Sequence, residues 1–157
     1  MNNEKQIRVL VLDDDKFMLE FVSHLLRELG VNEVLVAEDG KAGLFVLSAQ
    51  VTAVDLLICD IEMPGMDGIE FLRNIADQSY SGKIVLFSGV DPDLLKATER
   101  LATVRGLNVI GTLAKPVTVG SLATILEQLA SPVRRNSDPS RMKQIFNVEE
   151  IKQALLA

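Results

Sequence analysis

A doubly wound α/β sandwich on a five-stranded, all-parallel sheet is the fold class that the sequence predicts. Short β-branched runs alternate five times with longer stretches whose apolar residues follow the helical period. Several of these runs are apolar at nearly every position, as is typical of strands covered by helices on both faces. Five βα units in a row are joined by right-handed crossovers, which place the strands parallel to one another.

A strand opens each unit. The five strands are predicted at Ile7–Leu12, Glu33–Ala37, Val54–Cys59, Lys83–Ser88 and Asn108–Leu113. The first, third and fourth are the nearly continuous apolar runs, so we expect helices on both of their faces.

Each strand is followed by a predicted helix with one apolar face. In chain order, these faces consist of Met18, Phe21, Val22, Leu25, Leu26 and Leu29; Ala42, Phe45, Val46 and Ala49; Ile69, Leu72, Ile75 and Ala76; Leu94, Leu101 and Ala102; and Leu122, Ile125, Leu126 and Leu129. Gly30 is expected to end the first helix. Asp91 and Pro92 are expected to begin the fourth, as its N-cap and first helical residue.

The composition argues against several function classes. Of the 157 residues, 48% are hydrophobic and 24% are charged, the balance of an ordinary globular domain. The net charge of −6 argues against a nucleic-acid surface and suits divalent cations better. A single cysteine, Cys59, rules out an internal disulfide framework. The sequence shows no signal peptide and no apolar stretch of about 18 to 20 residues, so we expect a cytoplasmic protein that does not bind a membrane.

The composition changes after residue 130. Residues 131–145 are rich in Pro, Ser and charge and are predicted to be a linker. Residues 146–157 form a predicted short helix with Val148 and Ile151 on one face. The predicted organisation is therefore a domain over 1–130, a linker over 131–145 and a C-terminal helix over 146–157. That helix either packs on the domain or another chain, or opens an output domain.

Residues of related chemistry stand at the strand ends. Asp13–Asp15 follow the first strand, Asp60 the third and Lys115 the fifth, and Ser88 ends the fourth. In a parallel sheet these groups converge on one edge. Clustered carboxylates repel one another unless a cation lies among them, and hard oxygen ligands suit Mg²⁺. Carboxylates with a metal, a lysine and a hydroxyl constitute a phosphoryl-transfer site in which an Asp is the nucleophile.

Each of these residues, taken alone, also has a purely structural explanation. Asp13–Asp15 fit the N-cap of the next helix equally well. Lys115 with Pro116 is typical of a solvated turn, and Ser88 of an ordinary cap. Their joint occurrence at successive strand ends favours the functional interpretation.

These residues resemble the receiver domain of bacterial response regulators, over about residues 7–130. Asp13 and Asp14 resemble its acidic pair, and residues 60–68 its phosphorylation loop with Met-Pro and Asp-Gly elements. Ser88-Gly89 and Lys115-Pro116, the latter with a typically cis bond, complete the likeness. The resemblance implies a flavodoxin-like (βα)5 fold and a signalling protein that modifies only itself.

The resemblance also implies a role for each site residue. Asp60 would accept a phosphoryl group from a histidine kinase or histidine phosphotransfer protein. Mg²⁺ would be bound directly by Asp14 and Asp60 and by the backbone carbonyl of Glu62. Asp13 would bind it through water or act as a partner of the direct ligands.

Three residues near the last two strand ends complete the implied mechanism. Lys115 would pair first with the acceptor carboxylate and then with the phosphoryl oxygens. Ser88 would donate to the phosphoryl group and Gly89 would leave room for it. One departure is Thr112, which stands where receivers often carry an aromatic switch residue, so the relay of phosphorylation must use another part of the fourth and fifth units. A homodimer through those units is left open.

A narrower resemblance joins the chain to receivers that precede EAL phosphodiesterase domains, which hydrolyse cyclic di-GMP. It rests on residues 87–91, 101–102 and 106–116, and on residues 149–155, which resemble the helix that opens an EAL domain. The EAL catalytic residues are absent. The chain is therefore either a receiver fragment of a longer protein or a receiver that stands alone.

Two rival functions fit part of the pattern. Asp13 and Asp15 form the Asp-x-Asp of haloacid-dehalogenase-type phosphatases, but that family needs an acidic pair after the lysine, and the next acidic residue after Lys115 is Glu127. This reading also leaves Asp60 unexplained. A pseudo-receiver that binds a partner without phosphorylation is the second rival. A nucleotide-binding glycine loop is missing after the first strand.

Overall fold

The computed structural model describes residues 6–49, 53–63, 68–89 and 92–130. The predicted linker (131–145) and C-terminal helix (146–157) lie outside the described residues. The strands are β1 (Arg8–Leu12), β2 (Glu33–Ala37), β3 (Leu56–Asp60), β4 (Lys83–Ser88) and β5 (Asn108–Ala114). The helices are α1 (Lys16–Glu28), α2 (Gly40–Ala49), α3 (Gly68–Asp77), α4 (Pro92–Val104) and α5 (Val119–Ala130). The predicted alternation of five strands and five helices is confirmed.

One parallel sheet carries all five strands, in the order β2-β1-β3-β4-β5. The chain runs outward from β1 to β2 and then crosses back to β3, so the order reverses between β1 and β3. Leu12 pairs with Cys59 at the carboxyl ends of these two strands. Asp13 and Asp60, the next residue of each strand, therefore lie side by side at the reversal point, where open α/β sheets bind their ligands.

The core is mainly aliphatic, as the low aromatic content leads one to expect, and it also contains the fully buried Phe71 and Phe87. β1 from Val9 to Leu12, all of β3 except its terminal Asp60, and β4 from Ile84 to Phe87 are fully buried. These are the three strands that the sequence predicts to be covered on both faces. β2 lies at the edge of the sheet and is only partly buried.

The buried face of α1 differs from the predicted one. Leu19, Val22, Ser23 and Leu26 are buried, whereas Met18, Phe21, Leu25 and Leu29 are only partly covered. The buried set follows an unbroken i, i+3, i+4, i+7 stripe, and Ser23 completes it. The helix has two adjacent apolar stripes, and the one that packs on the sheet is the stripe that includes Ser23.

The apolar face predicted for α2 is wrong at Phe45, whose surface is 71% exposed. The helix buries Gly40 and Gly43 instead. A Cβ at Gly43 would lie 2.9 Å from the ring of Phe71 on α3. The missing side chain thus lets α2 approach α3 closely, and this orientation turns Phe45 outward.

The predicted helix boundaries hold where the structure describes them. α1 ends at Glu28, and the N–H groups of Gly30 and Val31 donate to the carbonyls of Arg27 and Leu26, both at 3.0 Å. α4 begins at Pro92, while its predicted N-cap, Asp91, lies outside the described residues. Among the helices described, none combines the length and the apolar character needed to cross a membrane.

Candidate functional site

Three carboxylates meet at the carboxyl edge of the sheet. One oxygen from each of Asp13, Asp14 and Asp60 lies within 4.8 Å of the other two. Asp13 is fully buried and Asp60 is 2% exposed, whereas Asp14 faces solvent. The pairing of β1 with β3 brings Asp13 and Asp60 together, and Asp14 follows Asp13 along the chain. The cluster therefore consists of two buried carboxylates and one, that of Asp14, that is exposed to solvent.

The loop after β1 divides its three acidic residues between two tasks. Asp15 is the N-cap of α1, and its Oδ1 accepts hydrogen bonds from the N–H groups of Phe17 (3.0 Å) and Met18 (3.4 Å). Asp13 Oδ1 accepts one from the Asp15 N–H at 2.9 Å. The structural explanation of this acidic run thus holds for Asp15, while Asp13 and Asp14 project into the carboxylate cluster.

Both oxygens of Asp60 have partners. Oδ1 accepts the N–H of Glu62 at 3.0 Å, and Oδ2 accepts a hydrogen bond from Lys115 Nζ at 3.3 Å. Burial raises the pKa of Asp60 to about 6. The Glu62 hydrogen bond lowers that pKa, the Asp13 charge raises it, and Lys115 lowers it. Desolvation outweighs the favourable partners, yet the group is still ionised at neutral pH.

Lys115 reaches the cluster from beyond β5. Its Nζ lies 3.1 Å from Asp13 Oδ2 and 3.3 Å from Asp60 Oδ2. Burial lowers the pKa of this ammonium, but the Asp60 and Asp13 carboxylates raise it by more, so it lies above its ordinary value. The peptide bond between Lys115 and Pro116 is cis, as the resemblance implies. A fixed positive charge therefore lies against both buried carboxylates.

The donor set fits Mg²⁺. Asp13 Oδ2 is buried and accepts no hydrogen bond from the described residues, although it is ion-paired with Lys115. Lys115 is ion-paired with Asp13 and Asp60, and the exposed Asp14 adds a third carboxylate, which leaves an excess of negative charge in the cluster. Such a site suits a hard divalent cation that retains several of its waters. Glu62 contributes its N–H to Asp60; the role of its carbonyl as a ligand stays a prediction.

The remaining predicted residues lie at the same edge. Ser88 is the last residue of β4 and pairs with Ala114, the residue before Lys115. Its hydroxyl lies outside what the structure describes, so its role stays a prediction. A Cβ at Gly89 would make only an ordinary contact, 3.5 Å from Lys115 Cδ. Thr112 is exposed on β5, and residues 64–67 of the predicted phosphorylation loop lie outside the described residues.

Two residues near the site escaped the sequence interpretation. Gly68 begins α3, and a Cβ there would overlap the Asp60 carbonyl oxygen and the Ile61 Cα. The Asp-Gly element of the sequence draws attention to Gly68, but it does not indicate that this glycine packs against the backbone of Asp60 and Ile61. Phe87 lies under Lys115, with Nζ 4.8 Å from its ring centroid. The strand order indicates this contact, because β4 lies between β3, which ends at Asp60, and β5, which precedes Lys115. Within β4, Phe87 is the residue that pairs with Asp60.

Comparison with known proteins agrees with this geometry. Residues 9–127 match the family model described as response regulator receiver domain. The chain is 35% identical over 120 residues to the cyclic di-GMP phosphodiesterase RocR of Pseudomonas aeruginosa, covering 76% of this chain and 30% of RocR. It is 33% identical over 126 residues to the chemotaxis protein CheY-3 of Vibrio cholerae, covering 80% of this chain and 92% of CheY-3. The chain thus spans less than a third of RocR but nearly all of CheY-3.

Solved structures show the same fold. A response regulator from Colwellia psychrerythraea has a TM-score of 0.69 and 31% identity, covering 82% of this chain and 99% of that one. A receiver domain protein from Clostridium thermocellum has a TM-score of 0.67 and 29% identity, covering 82% and 97%. The fold is the flavodoxin-like one that the resemblance implies. The chain belongs to the response regulator receiver domain family of two-component signalling.

Proposed function

We propose that Asp60 accepts a phosphoryl group from the phosphohistidine of a histidine kinase or histidine phosphotransfer protein. The observation that carries this proposal is the Asp60 carboxylate itself, buried between Asp13 and Lys115 with both oxygens held by donors. In the reaction an Asp60 oxygen forms a bond to phosphorus as the bond from phosphorus to the imidazole nitrogen breaks. The electron pair of that bond returns to the imidazole, which is protonated as it leaves.

The surrounding residues supply position and charge. Lys115 keeps its proton throughout and offsets the charge on the acceptor and then on the phosphoryl oxygens. Mg²⁺, held by Asp13, Asp14, Asp60 and the carbonyl of Glu62, would neutralise charge on the transferred group. We assign to Ser88 a hydrogen bond to the phosphoryl group, and to Gly89 the space beside the Lys115 stem.

The test is incubation of the full chain with acetyl phosphate and Mg²⁺, followed by intact-mass measurement. We expect a gain of one phosphoryl group per chain that is removed by hydroxylamine, because the product is an acyl phosphate. Asp60→Asn should abolish the gain and Asp14→Asn should slow it, while Asp77→Asn, at an exposed carboxylate ion-paired with Arg105, should leave it unchanged. Phosphoryl incorporation that survives Asp60→Asn would overturn the proposal.

The same variants distinguish the proposed receiver function from that of a haloacid-dehalogenase-type phosphatase. It would use Asp13 as nucleophile and Asp15 as acid, but Asp15 is occupied as the N-cap of α1. A phosphatase of that kind would keep its turnover of small phosphate esters after Asp60→Asn. We expect no such turnover from the native chain, which modifies only itself. The pseudo-receiver alternative predicts no mass gain even in the native chain.

The output of the signal is the least constrained part of the function. Likeness to RocR supports an EAL phosphodiesterase domain beyond Ala157, and likeness to CheY-3 supports a receiver that stands alone and binds its target. Reading the coding frame past residue 157 decides between them. We place the phosphoryl exchange in the cytoplasm, with a homodimer through the α4 and β5 region as a further proposal. Sedimentation with and without a phosphoryl mimic tests the dimer.

A further inference from the structure

Phe87 lies between the acceptor and the lysine. β4 separates β3 from β5, and in the register of the sheet Phe87 pairs with Asp60 on one side and Leu113 on the other. Lys115 lies two residues after Leu113, just past the end of β5, and its ammonium lies over the Phe87 ring. Neighbouring strands are roughly 5 Å apart, so the Lys115 side chain crosses the whole width of β4 to reach Asp60. The residue that it crosses is Phe87.

The contact between ring and ammonium is close. Lys115 Nζ lies 4.8 Å from the centroid of the Phe87 ring, within the range of a cation–π interaction. Phe87 is fully buried and the Lys115 side chain is 24% exposed. The attraction therefore acts in a partly desolvated setting, where it is stronger than at an open surface. A buried leucine or methionine would fill similar space but would offer no negative ring face.

From this geometry we propose that Phe87 is a positioning residue: its ring face holds the Lys115 ammonium over β4, within reach of the acceptor carboxylate. A lysine side chain loses conformational entropy when it is fixed in one position. Because the Phe87 ring already restricts the Lys115 ammonium in the free protein, less entropy remains to be lost when the phosphodonor binds. This inference rests on the proposed function of Asp60, since it assigns a role in phosphoryl transfer. Phe87 itself touches neither donor nor metal.

Graded fluorination of the ring separates the cation–π attraction from packing. Phenylalanine analogues with one, two and three ring fluorines, incorporated at position 87, keep the ring shape while they weaken the negative face. The first measurement is the chemical shift of the Lys115 side-chain protons next to Nζ. We expect an upfield ring-current shift in the native chain that Phe87→Leu removes. This measurement requires no phosphoryl transfer.

The second measurement is the rate of phosphoryl incorporation from acetyl phosphate with saturating Mg²⁺. We expect the rate to fall progressively along the fluorinated series and by about 3- to 10-fold in Phe87→Leu, the size of a cation–π attraction at a partly exposed site. Phe71→Leu is the matched control. Phe71 is equally buried but packs against Gly43, away from Lys115, so its substitution should change stability and leave the rate within about 2-fold.

The outcomes are distinct. A rate that stays constant along the fluorinated series, or Lys115 protons without a ring-current shift, overturns the role of Phe87. An equal loss of rate in Phe71→Leu also overturns it, because general destabilisation then explains the effect. If the native chain takes up no phosphoryl group, the proposed function fails, while a ring-current shift still supports Phe87 as the residue that places the ammonium.

Discussion

At the scale of single residues, Asp60 balances two opposing requirements. The proposed role of Asp60 as nucleophile requires an ionised carboxylate, yet burial disfavours the charge and raises the pKa of this carboxyl to about 6. The Glu62 N–H and the Lys115 ammonium both favour the ionised form. They keep the group charged at neutral pH without removing it from the protein interior.

Competition between protons and Mg²⁺ follows from that pKa. Because protons and Mg²⁺ would compete for the Asp60 carboxylate at the proposed magnesium site, the Kd for Mg²⁺ should rise about tenfold per pH unit below about pH 6 and level off above it. Calorimetric titration at several pH values measures it. Asp77→Asn should reproduce the native profile, whereas a Kd that does not change between about pH 5 and 7 would contradict the assignment of Asp60 as a ligand.

The same pKa makes a prediction for stability without metal. The folded state retains the Asp60 proton in a range where the unfolded chain has lost it. The contribution of Asp60 to stability is therefore greatest below about pH 4 and is lost as the pH rises through about 6. Asp60→Asn cannot ionise and removes this dependence. The Tm of Asp60→Asn minus that of the native chain should therefore grow from about pH 4 to about pH 7 in chelator. A constant difference would show that burial does not raise this pKa.

At the scale of elements, α3 is fitted against the end of β3 through Gly68. A Cβ at this position would overlap backbone atoms of Asp60 and Ile61, which cannot yield as a flexible side chain can. Gly68→Ala should lower the free energy of unfolding by about 1–3 kcal/mol, the range for overpacking. Gly89→Ala is the control, since its Cβ meets only an ordinary contact. Urea denaturation compares the two, and equal stabilities would contradict the packing argument.

Local sequence patterns predicted the strands of this protein better than the buried faces of its helices. The strands were predictable to within two residues at each end, because short β-branched runs alternate with stretches whose apolar residues follow the helical period. The faces of α1 and α2 were not. Both helices carry more apolar surface than the sheet covers. The buried stripe of α1 includes Ser23, and in α2 the missing side chain at Gly43 allows close contact with Phe71 of α3. Neither Ser23 nor Gly43 is a residue that hydrophobic periodicity favours.

At the scale of the whole molecule, the strand order assembles the site. Asp13, Asp60 and Lys115 come from strands far apart in sequence, and the parallel sheet brings their carboxyl ends to one edge. The order β1-β3-β4-β5 sets the distances, since Asp13 and Asp60 are neighbours and Lys115 must reach across β4. The negative net charge of the chain agrees with a site that binds a divalent cation.

The predicted domain boundary is testable on the intact chain. If residues 131–145 are a linker, trypsin should reach Arg134, Arg135, Arg141 and Lys143, whereas the basic residues of the described part of 6–130 lie on a folded domain. Limited proteolysis should therefore first produce a stable fragment that ends at Arg134 or Arg135, identified by mass. Earlier cleavage inside residues 6–130 would contradict the predicted organisation.

The sequence by itself determined the number and order of the elements, the parallel sheet and the identity of Asp60 and Lys115 as partners at its edge. Those conclusions depend on residues close together in the chain and on motifs that are read in order. The tertiary structure decided which acidic residue is buried, that Asp15 is an N-cap, and that Phe87 lies beneath the Lys115 ammonium. The physical reason is that burial and contact across β4 depend on strand order and helix orientation, which are set by packing between residues distant in sequence.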